Sequence, residues 1–161
     1  SHGFDDKGSK YDGKGNLRKW WTESDREEFE RRAQGLVSQY DKFEPVPDNF
    51  VKGKLTLGEN IGDLGGLSVS YKAYRLSLNG KEAPVIDGLT GDQRFFLGWA
   101  QIWRRVYREP ELLKRLVTDA HSPSEYRVNG IVRNMDAWYE AFAIKPTDAL
   151  YLKPEDRVRI W

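Results

Sequence analysis

The sequence predicts a mainly α domain, built as a compact helical array. Three observations carry this. Apolar residues recur at helical spacing, most clearly at Phe29, Leu36, Val37 and Tyr40. Helix start and stop signals bracket several segments, and no stretch alternates convincingly as a strand. At 161 residues, with 39% hydrophobic and 13% aromatic side chains, the chain suits one domain with a real core, despite 32% charge.

The elements follow in order. Residues 1–19, "SHGFDDKGSKYDGKGNLRK", hold four glycines and read as a loop. Its "DGKGN" lacks the acidic spacing of an EF-hand. A helix then starts after Thr22, a suitable N-cap, with Glu23 and Asp25 in its first turn, and stops at "EPVPDNF", where two prolines block continuation. A second helix is expected from about Leu57 to Leu78, with Asn79-Gly80 as its stop. "KEAPVIDGLTGD" is a loop, "QRFFLGWAQIWRRVYR" a third helix, and "ELLKRLVTDA" a short fourth beyond the break at Glu109-Pro110. "HSPSEYRVNG" reads as polar and turn-rich, "NMDAWYEAFAI" as a fifth helix, and "KPTDALYLKPEDRVRIW" as a tail with apolar anchors.

Composition narrows the function. Lys plus Arg is 26 and Asp plus Glu is 25, which gives no electrostatic case for nucleic acid as a partner. No apolar run reaches the roughly 18–20 residues of a membrane span. Without cysteine there is neither a disulfide nor a thiol nucleophile. Zero cysteine suits a bacterial protein, extracytoplasmic or cytoplasmic, and leaves the compartment open.

The chemistry concentrates in "LTLGENIGDLGG", residues 55–66, where Glu59 and Asp63 stand four apart among apolar residues and glycine. On a helix they share a face. Two like charges on an apolar face need a cation or a donor between them, unless they are solvated carboxylates near a helix N-terminus. One reading makes one carboxylate a metal ligand and the other the acceptor that orients a ligating imidazole. The chain offers two histidines for it, His2 and His121, both in loops beside acidic residues.

Three blocks, "SHGFDDKGSKYDGKGNLRKWWT", "LTLGENIGDLGG" and "DAHSPSEYRVNG", resemble the neprilysin and endothelin-converting-enzyme family of zinc metallopeptidases, in the family's order and over the whole chain. "QRFFLGWAQIW" and Trp161 match as well. The resemblance implies the C-terminal part of a thermolysin-like (gluzincin) catalytic domain spanning residues 1–161. Within it, 1–19 is an active-site-adjacent loop, 55–79 the zinc-ligand helix and 119–130 a substrate-binding loop. It implies that His2 is the second histidine of an H-E-x-x-H motif and a Zn²⁺ ligand, and that Glu59 is the third protein ligand. Asp63 and Asp5 stand behind the ligands, Asp63 orienting a zinc-bound imidazole and Asp5 buttressing the site. His121 donates to the tetrahedral oxyanion, Arg127 binds substrate oxygens beyond the scissile bond, and Trp103 walls the pocket for the apolar residue after the cut.

On this expectation the chain begins inside H-E-x-x-H. The first histidine and the general-base glutamate then belong to an N-terminal remainder that is its partner, along with peptide substrates, and the chain alone is inactive. Animal members end in Cys-x-x-Trp where this chain has "VRIW", so Val158 rules out the family's disulfide there. The competing reading is a catalytically inactive helical peptide-binding module or remnant, using Arg127 and the Trp-rich helix without metal. Intact His2, Glu59, Asp63 and His121 favour the peptidase.

Overall fold

The computed structural model describes residues 2–161. Among them the chain forms α1 (Glu23–Tyr40), α2 (Gly53–Ser77), α3 (Gly91–Ile102), α4 (Glu109–Thr118), α5 (Ser124–Val132) and α6 (Asp136–Phe142), with 3₁₀ turns at His2–Phe4, Gly8–Lys10 and Pro154–Asp156. Pairing among the described residues is limited to isolated bridges such as Tyr11 with Leu17. The mainly α expectation holds.

Helix α1 starts as its sequence dictates, with Thr22 Oγ1 accepting from the Asp25 amide at 3.2 Å. Its stripe of Phe29, Leu36, Val37 and Tyr40 is buried and packs into the core with Leu57, Ile61, Leu64 and Leu67 of α2. The two helices are also joined end to start, because Asp41, just past α1, accepts from the Gly53 amide at 2.7 Å. That contact starts α2 four residues before the expected Leu57. At the other end Asn79 and Gly80 both take positive φ, 50° and 76°, and the helix stops there as read.

Two expectations fail between residues 103 and 132. The third helix ends at Ile102, and residues 103–108 leave the helical path instead of continuing through "RRVYR". The stretch read as turns contains α5, which follows Pro123 and carries Glu125 in its first turn. Residues 119–130 are therefore a loop only as far as Pro123 and a helix beyond it. Helix α5 reaches the core because Gly130 has no side chain: a Cβ there would stand 2.6 Å from the Tyr40 hydroxyl. That hydroxyl donates to the Tyr126 carbonyl at 2.9 Å. The close approach presents the preceding turn of α5 to α2.

The tail is held by a buried amide hub rather than by apolar anchors alone. Asn134, 2% exposed, exchanges hydrogen bonds with Gln39 at 2.8 and 2.9 Å, donates to the Gly130 carbonyl and accepts from the Val158 amide at 2.7 Å. Val158 and Ile160 are buried, and Trp161 stacks on Phe29 and meets Phe4 edge-on. Asn134→Ala is expected to cost about 2–4 kcal/mol, since it strands the Gln39 amide and the Val158 N–H in the interior. Urea unfolding measures this, and a loss below about 0.5 kcal/mol would show that the hub does not hold the tail.

Candidate metal and substrate site

Four segments converge here: the first turn, α2, the loop after α4, and α5. The first turn is set by Asp5, which is 5% exposed. Its Oδ1 accepts from the Lys7 and Gly8 amides at 2.8 and 2.7 Å, and its Oδ2 meets His2 Nδ1 at 2.7 Å. Burial works to raise the Asp5 carboxyl, but the Gly8 amide, the His2 ring and the Lys7 amide outweigh it and hold it below its ordinary value. An ionised Asp5 makes Nδ1 the donor and turns Nε2 of His2 toward Glu59. The turn sits directly on α2 at Gly58, where a Cβ would come within 3.1 Å of the Asp5 carboxylate. The next residue of α2 is Glu59.

Glu59 lies between two imidazoles. Its Oε1 is 3.5 Å from His2 Nε2, and its Oε2 is 3.2 Å from His121 Nε2. His121 is oriented as His2 is, by a carboxylate on Nδ1. Asp119 Oδ1 takes that ring nitrogen at 2.8 Å and the His121 amide at 2.9 Å, and Asp119 Oδ2 accepts from Arg115 at 2.7 Å. The loop carrying His121 is fastened to α2 by Ser122, whose hydroxyl donates to Asn60 Oδ1 at 2.8 Å. Asn60, buried beside Glu59, donates in turn to Thr56 at 2.9 Å. Nothing in the sequence reading singled out Asn60.

Asp63 is paired with an arginine. It hydrogen-bonds neither His2 nor His121. One turn below Glu59 and 8% exposed, it receives Arg127 on both oxygens, Nε to Oδ2 and Nη2 to Oδ1, each at 2.7 Å. Burial, the largest influence, pushes the Asp63 carboxyl above its ordinary range, and the Arg127 contacts oppose it. The carboxylate pair is thus divided: Glu59 faces the histidines and Asp63 faces an arginine. Among the described residues, the carboxylate holding a His2 nitrogen is Asp5.

Arg127 lies 3.9 Å from the centre of the Trp103 ring, and the Trp99 indole donates to its carbonyl at 3.1 Å. Trp103, His121 and Arg127 line a cavity of about 220 Å³ whose other walls include Arg105, Tyr107 and Asp119. Around Trp103 the walls are polar and cationic rather than apolar. A larger apolar groove of about 800 Å³, between Leu64, Val69, Met135 and Trp161, contains none of the residues singled out in the sequence as a site.

Whether the residues fit zinc is tested by the donor set. An imidazole nitrogen with its partner nitrogen on a carboxylate is the usual zinc-ligating arrangement. Two ligands of tetrahedral zinc at about 2.0–2.2 Å stand about 3.4 Å apart, and His2 Nε2 and Glu59 Oε1 are 3.5 Å apart. These two fit. No group of three or more metal-holding side chains occurs among the described residues.

A family model described as peptidase family M13 matches residues 1–158. The chain belongs to peptidase family M13. It is 41% identical to human endothelin-converting enzyme 1 over 165 residues, which is all of this chain and 21% of that protein. It is 39% identical to neprilysin-11 of Caenorhabditis elegans, covering 19% of it. A crystal structure of the Mycobacterium tuberculosis zinc metalloprotease ZMP1 with an inhibitor superposes with a TM-score of 0.96 at 58% identity, over 99% of this chain and 25% of that one. The chain spans about a fifth to a quarter of these relatives, and the helical architecture is that of the C-terminal part of the catalytic domain. No helix among the described residues is long and apolar enough to cross a membrane.

Proposed function

We propose that the chain supplies part of the zinc site and the substrate-facing wall of a metalloendopeptidase that cuts peptides on the amino side of apolar residues. The observation that carries this is Glu59 set between two imidazoles, each buttressed on Nδ1 by its own carboxylate. His2 and Glu59 would hold Zn²⁺ together with a histidine from the N-terminal remainder, which would also bring the general-base glutamate. When bound, the metal supplies Lewis acidity and an activated water. Asp5 keeps the His2 lone pair in place, and Asp63 fixes Arg127 and stands ready for the remaining histidine. Trp103 gives the apolar side chain after the cut one aromatic wall.

His121 is proposed to donate to the oxyanion. With Nδ1 turned to the Asp119 carboxylate, Nε2 is the ring nitrogen that faces Glu59 and the metal side of the site. Its ring contacts those carboxylates and no carbonyl of α4, which argues against a helix-capping role. In the full-length enzyme, His121→Ala should lower kcat by about 10²–10³-fold and leave KM nearly unchanged. Near-wild-type kcat with a lowered melting temperature would assign the residue to structure.

The reading as a whole is tested by the 161-residue chain beside the full-length protein. With two metal donors and no base, the isolated chain should not hydrolyse a quenched fluorescent peptide, while the full-length protein should, and should lose this activity on zinc chelation. Turnover by the isolated chain, or chelator-resistant turnover by the full-length protein, would overturn it.

A further inference from the structure

The segment "WRRVYR" follows the end of α3. Off the helix, Trp103, Arg105 and Tyr107 line the 220 Å³ cavity, with Arg105 at its exposed rim, while Arg104 and the fully exposed Val106 are not among the lining residues. Both flanks of Arg105 are pinned. Trp103 is gripped by Arg127, and the Tyr107 hydroxyl meets Ser124 Oγ at 2.8 Å and accepts from the Ser124 amide at 3.3 Å.

Three guanidinium groups line this cavity, and two are already neutralised. Arg115 pairs with Glu111 and Asp119, and Arg127 with Asp63 through two of its three nitrogens. Arg105 has no carboxylate partner among the described residues; its guanidinium lies 5.4 Å from the centre of the Trp103 ring. An aromatic face orients a guanidinium while leaving its in-plane donors open to an acceptor. The same cavity holds His121, so an anion on Arg105 would lie within one short peptide of the Glu59–histidine cluster.

We propose that Arg105 is the anion-binding residue of this cavity and recognises a carboxylate on the part of a peptide that follows the scissile bond. The carboxylate is either the free C-terminus or an acidic side chain. The assignment rests on the peptidase reading for the word "scissile" but not for the binding itself. Arg127, whose Nε and Nη2 are committed to Asp63, acts as the wall behind it. This makes Arg105 a specificity-determining residue: it favours short peptides that end soon after the cut, or acidic ones.

Direct binding to the full-length protein tests this without any turnover. Isothermal titration compares Phe-Gly with Phe-Gly-amide, which reads a terminal carboxylate, and Phe-Glu-amide with Phe-Gln-amide, which reads an acidic side chain. Wild type should bind at least one acid form about three- to tenfold more tightly than its neutral partner, the range of a charge-assisted contact at a partly exposed site. The pair that shows the preference identifies the source. Arg105→Met should abolish the preference and leave the neutral forms unchanged, Arg105→Lys should restore part of it, and Arg104→Met, an equal loss of charge outside the cavity, should keep it. No preference in wild type, or a preference that survives Arg105→Met, overturns the proposal. A protein that shows the Arg105-dependent preference yet cleaves no peptide would sink the peptidase reading and leave this one standing.

Discussion

On the proposed peptidase reading, Glu59→Gln is expected to strip most of the zinc from the full-length protein and to remove its activity with it. Both Glu59 oxygens point at imidazole Nε2 atoms, at 3.5 and 3.2 Å. The amide keeps the shape but offers one neutral carbonyl and one NH₂, and neither replaces a carboxylate ligand. The expected loss of affinity is more than about 100-fold, above the 10–100-fold typical when a group behind a ligand is removed. Asp5→Asn supplies that comparison, because Asp5 would act on a bound metal only through His2, whose Nδ1 it holds at 2.7 Å. Glu59 lies outside the buried core, so circular dichroism should be unchanged in Glu59→Gln. Metal analysis after dialysis, with competition against a chelator, gives the order wild type, Asp5→Asn, Glu59→Gln. Equal zinc content in Glu59→Gln and wild type would remove Glu59 from the ligand set.

The helices were legible where local signals and long-range packing agreed. Thr22, the Phe29–Tyr40 stripe and the Asn79-Gly80 stop each act within a few residues, and each behaves as read. The start of α2 was not legible, because its cap is the Asp41 side chain of the preceding helix, 12 residues back. The stretch after Ile102 carries helix-permissive residues, so nothing local marks the exit; Trp103 and Tyr107 are drawn instead onto Arg127 and Ser124 of α5. The start of α5 did carry a signal in Pro123 and Glu125, outweighed in the reading by Ser122, Ser124 and Asn129-Gly130. At the site, periodicity put Glu59 and Asp63 on one face and motif resemblance named the residues around them. Periodicity could not say that Asp63 is spoken for by Arg127, 64 residues away. Nor does Asn60 carry any sign of its tie to Ser122, since that hydrogen bond exists only once two distant segments have met.

Arg127→Met is expected to cost the protein about 3–5 kcal/mol of stability before any effect on substrate is counted. The pair it breaks is buried, with side-chain exposures of 14% for Arg127 and 8% for Asp63, and it is bidentate at 2.7 Å. Truncating one partner leaves the other as an uncompensated interior charge, which is far costlier than losing an exposed ion pair. The loss should depend on pH with a definite sign. Burial already holds the Asp63 carboxyl above its ordinary value, and Arg127 is the main influence pulling the other way. Without the arginine the folded-state value rises further. A carboxyl whose folded value exceeds its unfolded one stabilises the fold below the unfolded value, and that contribution is lost as pH rises through the folded value. The variant's deficit should therefore be larger at pH 8 than at pH 5, and smallest near the ordinary carboxylate range. Replacing both partners with apolar residues, Arg127→Met with Asp63→Leu, should recover most of the stability, because no charge is then left buried. Urea unfolding of the two single variants and the double variant at pH 5 and pH 8 completes the cycle. Additive losses, or a deficit in Arg127→Met that grows as the pH falls, would show that the Asp63–Arg127 pair does not tie α5 to α2.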